Sequence, residues 1–193
     1  MELYIEYLND FSQGEFDNAF NMMDEARKKA VLRMKFENDR RRSVLGESLA
    51  RKGISKLCDI KEREILFDRT ESGKPFVTNA RAFFSVSHSK EMVVCAVDDQ
   101  EIGVDAEFIR DIDLSITRIA CTEKDKEFIF SSDDKNEQIN RFFTVWTAKE
   151  AYFKFIGTGI IGLKTIDYEE IKPFCRHFRE GDYMIAVYSK EKL

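Results

Sequence analysis

The chain reads as α+β, built from two similar lobes. Three observations predict this. Short apolar or alternating runs that suit strands lie at the start, in the middle and near the end. Segments with helical periodicity fall between them. The coarse order of strand, helices and strands then occurs twice over 193 residues, with the repeat meeting near residue 100. We therefore expect an N-terminal lobe over 1–100 and a C-terminal lobe over 101–193, as one two-lobed unit with a cleft between them.

"LYIEYL" (Leu3–Leu8) predicts the first strand. A helix is expected from about Asp24, a possible N-cap, because Ala26, Ala30 and Met34 recur at four-residue steps. A second helix is expected from Asn38 or Asp39 to Lys52, with Val44, Leu45 and Leu49 as its apolar stripe and Gly53 as its stop. Short strands are expected at Glu64–Asp68, Pro75–Thr78, Phe83–Ser87, Glu91–Val97 and Glu101–Glu107. "DDQ" (Asp98–Gln100) is read as a tight turn joining the last two in a hairpin. Thr122 and Asp125 have capping-box spacing. A long helix is expected from about Glu137 to Ile156, ending at Gly157, and the tail returns to strand in "TIDYEEI" and "YMIAVYS".

Composition sets the broad class. Hydrophobic residues make up 43% and aromatics 12%, so a substantial core is available and the composition argues against disorder. The net charge of −5 argues against a general nucleic-acid binder. One segment runs against that average. In Arg27–Arg42, "RKKAVLRMKFENDRRR", eight cations face two anions, which suits either a solvated helix face or an anion site. The four cysteines (Cys58, Cys95, Cys121, Cys175) are scattered, with no zinc-ligand spacing. There is no signal-like N-terminus and no apolar run of membrane-spanning length. We expect a cytoplasmic chain with free thiols, no membrane and no nucleic-acid partner.

"IGVDAE" (Ile102–Glu107) raises the chemical question. Strand alternation puts Asp105 and Glu107 on one face, about 7 Å apart, with Gly103 leaving space beside them. A half-exposed strand, apolar inside and polar outside, would read the same way. In "WTAKEAYFK" (Trp146–Lys154), Trp146, Glu150 and Lys154 share one helix face, a spacing also common in surface ion pairs. "FSVSHSK" (Phe84–Lys90) places His88 between serines at a strand end, and "SGKPF" (Ser72–Phe76) marks a turn carrying Lys74. Carboxylates without histidine or cysteine clusters suit Mg²⁺, and the surrounding cations suit a polyphosphate. The residues alone point to Mg²⁺-assisted phosphoryl-type transfer.

The order "GKPF … FSVSHS … IGVDAE … WTAKEAYFK" resembles the 4′-phosphopantetheinyl transferases, specifically the larger Sfp type. "RRSVLGE" (Arg41–Glu47) is similar to that family's N-terminal stretch and "GTGI" (Gly157–Ile160) to its glycine turn. The resemblance implies two α/β lobes related by a pseudo-twofold, with coenzyme A in the cleft. The implied reaction moves the phosphopantetheine arm to a serine of an acyl or peptidyl carrier protein and releases adenosine 3′,5′-bisphosphate. It implies Asp105, Glu107 and Glu150 as Mg²⁺ ligands, with Glu150 also taking the serine proton. Lys154, and less directly Lys149, would neutralise phosphate charge. Ser87 and His88 would hold a coenzyme A phosphate, Lys74 and Pro75 would border the adenine, and Arg42 and Ser43 would lie at the 3′-phosphate, with Arg27, Lys28 or Lys29 assisting. Ala106 departs from the family's branched aliphatic, which predicts a slightly emptier core. A length of 193 residues fits a monomer rather than the trimer of one-lobe chains. Two rivals share these residues: a non-catalytic coenzyme A or carrier-binding module, and a Mg²⁺-dependent phosphoanhydride hydrolase.

Overall fold

The computed structural model describes residues 1–158 and 162–190. It forms two compact units, Met1–Gln100 and Glu101–Leu193. In the first, β1 (Glu2–Tyr7) is followed by α1 (Gln13–Met22), α2 (Glu25–Leu32) and α3 (Glu37–Cys58), then by a small hairpin of β2 (Phe67–Arg69) and β3 (Pro75–Val77), and finally by β4 (Phe83–Ser89) and β5 (Met92–Asp98). The sheet order is β1-β5-β4, antiparallel throughout. In the second unit, β6 (Ile102–Phe108) is followed by α4 (Thr117–Ala120), α5 (Glu123–Phe130), α6 (Lys135–Ile156), α7 (Tyr168–Ile171), β7 (Cys175–Glu180) and β8 (Tyr183–Ser189), with sheet order β6-β8-β7. Each unit thus repeats one plan: a first strand, helices, then a hairpin whose last strand enters the middle of the sheet. The class is α+β.

Each sheet carries a 22-residue helix, α3 in the first unit and α6 in the second. Val44, Leu45, Leu49 and Ile54 of α3 join Val93, Cys95 and Val97 of β5 in one core. Contrary to expectation, α3 does not stop at Gly53 but runs a further turn and a half to Cys58. A Cβ at Gly53 would stand 2.5 Å from Val97 Cγ2 and 2.8 Å from the Tyr4 ring. The glycine lets the helix lie on the sheet, and that close packing outweighs a propensity penalty of about 1 kcal/mol. The helix ends instead at Asp59, whose backbone is left-handed (φ 53°).

Several other expectations need correction. Asp98–Gln100 does not close a hairpin, because β1 and β4 already pair with both edges of β5 and β6 belongs to the other sheet. The tight hairpin is β4–β5, turning at Lys90 (φ 47°). "TIDYEEI" is not a strand. Asp167 precedes the short helix α7, whose buried Tyr168 and Ile171 are spaced by three rather than two. Helix α1 was not anticipated, although Ser12 and Glu15 form a capping box and Phe16, Ala19, Phe20 and Met23 make its apolar stripe. The Thr122–Asp125 capping box is present as read, and α6 ends at Gly157 (φ 74°). "GTGI" falls partly outside the described residues, from 159 on. Among the described residues no helix is long and apolar enough to cross a membrane, and the four cysteines are unbridged.

Candidate active site

In the second unit the site begins at a glycine. A Cβ on Gly103 would lie 2.0 Å from the Ala151 carbonyl oxygen and 2.8 Å from the Phe155 nitrogen. Helix α6 therefore crosses β6 at backbone contact, and the strand face holding Gly103 is turned toward the helix. By alternation Asp105 and Glu107 share that face. This decides between the two readings of the hexapeptide: the carboxylates do not form a solvent face. Asp105 is 4% exposed and Glu107 half-buried.

Helix α6 answers with two side chains one turn apart. Lys154 Nζ donates to Asp105 Oδ1 at 2.7 Å. Glu150 is 5% exposed, and its Oε1 is buried with no hydrogen-bond partner among the described residues. Burial first, then the charge of Asp105, opposed by Lys154 and aided by Glu107, together push the Glu150 carboxyl up to about 7. Three carboxyl groups from two elements thus share one electrostatic neighbourhood with one ammonium. Among the described residues no group of three or more such side chains is arranged to hold a metal ion. The donor chemistry nonetheless fits a hard divalent cation: the oxygens are carboxylate, and one is buried with nothing donating to it. Trp146, a turn before Glu150, is half-buried and stacks obliquely on Phe142 with centroids 5.8 Å apart.

Lys149 takes no part in this cluster. Its ammonium is 1% exposed and is ion-paired with Asp125, also 1% exposed; it donates in addition to the Leu163 carbonyl at 2.7 Å. Adjacent residues on a helix diverge by about 100°, so Lys149 faces α5 and the α6–α7 connection while Glu150 faces β6. The structure thus sets Lys149 apart from Glu150, Lys154 and the Asp105/Glu107 pair, with which the resemblance had grouped it.

The first unit holds a cavity of about 330 Å³ whose lining includes Arg42, Ser43, Glu47, Pro75 and His88. Phe84, Val86 and His88 come from one face of β4 at period two. Ser87 lies on the other face and is buried, so it is not grouped with His88 as expected. Arg42 donates to the Lys90 carbonyl at 2.7 Å and pairs with Asp39 at 2.7 Å. Arg27 also lines the cavity, donating to Ser43 Oγ at 2.6 Å and pairing with Glu47 at 3.1 Å. Lys74 sits beside the cavity-lining Pro75, in a turn closed by Thr70 N–H donating to the Lys74 carbonyl at 2.9 Å. Sequence reasoning missed Glu47, Phe67 and Arg69 as lining residues. For Glu47 a signal existed: it lies four residues after Ser43 on α3 and four before Arg51, which pairs with it at 2.8 Å.

A half-buried carboxylate trio with a lysine, on a helix packed against a strand, defines the class: an α+β protein equipped for handling phosphate esters or anhydrides. Comparison with known proteins narrows this. Residues 10–100 match the family described as 4′-phosphopantetheinyl transferase, N-terminal, and residues 101–192 match the 4′-phosphopantetheinyl transferase superfamily. The chain is 36% identical over 159 residues to the 4′-phosphopantetheinyl transferase gsp of Aneurinibacillus migulanus, covering 82% of this chain and 66% of that relative. It is 30% identical over 162 residues to the 4′-phosphopantetheinyl transferase Sfp of Bacillus subtilis (83% and 72%). It is 36% identical over 132 residues to the 4′-phosphopantetheinyl transferase psf-1 of Bacillus pumilus (68% and 56%). The matched region thus spans from 56% to 72% of these relatives' own length. The chain belongs to the 4′-phosphopantetheinyl transferase superfamily.

Proposed function

We propose that this chain transfers the 4′-phosphopantetheine arm of coenzyme A to a serine of an apo acyl or peptidyl carrier protein, releasing adenosine 3′,5′-bisphosphate. The observation that carries the reading is the cluster of Glu150 and Lys154 on α6 with Asp105 and Glu107 on β6, in a chain whose relatives bear the transferase name.

Asp105, Glu107 and Glu150 are the residues that would hold Mg²⁺, which when bound supplies positive charge to the diphosphate and to the charge spreading over the transferred phosphoryl group. The serine oxygen forms a bond to the phosphorus bearing the pantetheine, and the anhydride P–O bond breaks. The electron pair leaves with adenosine 3′,5′-bisphosphate. Glu150 accepts the serine proton at its carboxyl, a contribution of about 10²–10⁴-fold for a positioned base. Lys154 exchanges Asp105 for a phosphate oxygen, a reading supported by its 30% exposure. In the first unit, Arg42, Ser43 and His88 bind the nucleotide's phosphates and Pro75, with Lys74 beside it, borders the base; Arg27 assists from α2.

The test is incubation with a panel of apo carriers, coenzyme A and Mg²⁺, read by intact mass. A carrier gaining one phosphopantetheine is the expected result. Carrier or coenzyme A binding without mass gain would replace this reading with a binding module. Cleavage of coenzyme A without a carrier would replace it with a hydrolase.

A further inference from the structure

A charged node lies away from the carboxylate cluster, on the other side of α6. Asp125 is its centre. Its Oδ2 accepts from the Thr122 N–H at 2.8 Å and from Lys149, and its Oδ1 accepts from the Tyr168 N–H at 2.8 Å. Lys149 spends a further proton on the Leu163 carbonyl at 2.7 Å. One buried pair thereby joins four pieces of chain: the first turn of α5, the middle of α6, the connection after α6, and the start of α7.

This is an expensive way to pack a core. Burying two charges costs several kcal/mol per ion, and apolar residues of like volume commonly do as well. An apolar pair, however, cannot satisfy the Leu163 carbonyl or the Tyr168 N–H. The bonds also run to specific places. Lys149 and Leu163 are 14 residues apart, so their bond closes a loop containing Glu150, Lys154 and the end of α6. Residue 149 is the immediate neighbour of Glu150. Any rotation of α6 that releases the Lys149 ammonium turns the Glu150 carboxyl relative to β6.

We propose that Lys149 is a positioning residue: by tying Asp125 to the Leu163 carbonyl it fixes the rotation of α6 and the α6–α7 connection, and so the direction in which Glu150 faces the strand. The inference rests on the transferase reading only where activity is the readout.

The experiment compares the wild-type chain with Lys149→Met/Asp125→Asn, which removes both charges and keeps one acceptor oxygen for the α7 N–H. Thermal melting, kcat and KM in the mass assay, and acrylamide quenching of Trp146 are measured; Trp146 is the sole tryptophan and lies on α6. We expect a lower melting point, because the Leu163 carbonyl and the Thr122 N–H lose their partners, with the variant still folded at the assay temperature. We expect kcat to fall about 10- to 100-fold, the effect of misplacing a reacting group by a fraction of an ångström to an ångström. KM for coenzyme A stays within about twofold, and Trp146 becomes more quenchable. A folded double variant with wild-type kcat and unchanged quenching overturns the inference, because a pair that only stabilises the fold lowers the melting point without moving Glu150 or Trp146. If the double variant does not fold, the same measurements on Lys149→Arg decide on the same criteria, since Arg keeps a positive charge beside Asp125 but changes the reach and angle of the donor to the Leu163 carbonyl. If the wild-type chain transfers nothing to any carrier, the transferase reading fails by itself. The quenching result then stands alone, and unchanged Trp146 accessibility overturns the positioning inference as well.

Discussion

Lys154 on α6 and Asp105 on β6, 49 residues apart in the chain, meet at 2.7 Å across a face that is otherwise almost closed to solvent. That contact fixes which way the strand's acidic pair is turned, and it balances one carboxylate while leaving Glu150 with a raised pKa beside it.

Glu150→Gln should abolish transfer while leaving the chain folded. It should also change how metal-free stability depends on pH. The folded carboxyl titrates near 7 against its ordinary 4.5, so between those values the folded state holds more proton than the unfolded state. Stability from this group is therefore fullest below about pH 4.5 and is lost as pH rises through 7, by an amount on the order of 3 kcal/mol. Denaturation of metal-free wild type and variant at pH 5 and pH 8 checks the sign: the variant gains on wild type at the higher pH. Parallel losses in both proteins would remove the buried acid from the account.

Asp105→Asn keeps the shape of the side chain but removes a charged oxygen ligand and the partner of Lys154. The Mg²⁺ titration of transfer should move to higher concentration by about tenfold or more. An unchanged titration would argue against ligation at this residue.

Gly103→Ala places a methyl group 2.0 Å from the Ala151 carbonyl. Backbone cannot step aside as a flexible side chain can, so α6 must lift from the sheet. We expect about 1–3 kcal/mol of destabilisation, as for overpacked cores, and a loss of transfer larger than the unfolded fraction explains. Urea unfolding beside the mass assay separates the two effects.

His88→Ala and Arg27→Ala remove two cavity-lining groups of the first unit. Each should raise KM for coenzyme A about tenfold, equivalent to about 1.4 kcal/mol of binding, with kcat little changed. A fall in kcat at constant KM would place these residues nearer the chemistry than the cavity suggests.

The parts of the fold that were legible in the sequence were those set by local physics. Alternation in Ile102–Glu107 identified a strand with paired acids, and Asp24, Thr122 and Gly157 marked helix ends where caps were later found. The rest depended on which element lies against which. Gly53 reads as a stop because its isolated propensity is poor, yet here it is a contact point for Val97. The Asp98–Gln100 turn is a plausible hairpin until β5 is seen to have both edges paired. Lys149 and Glu150 look equally catalytic in a string of letters. Only the position of Asp125, 24 residues earlier, separates their surroundings. Arg69 was missed because a cavity is assembled from strands and helices whose juxtaposition no short window contains.

The strand order has a consequence for synthesis. β5 and β8, the middle strands, are the last to be made in their respective units. While a ribosome is still translating either half, β1 and β4, or β6 and β7, have no partner to zip against, and the apolar side of the waiting 22-residue helix stays uncovered. Neither half can complete its sheet until its last strand is made, so nascent chains that end before residue 98 or residue 189 carry unpaired strand edges and exposed apolar surface, the features that make partly made chains prone to aggregate.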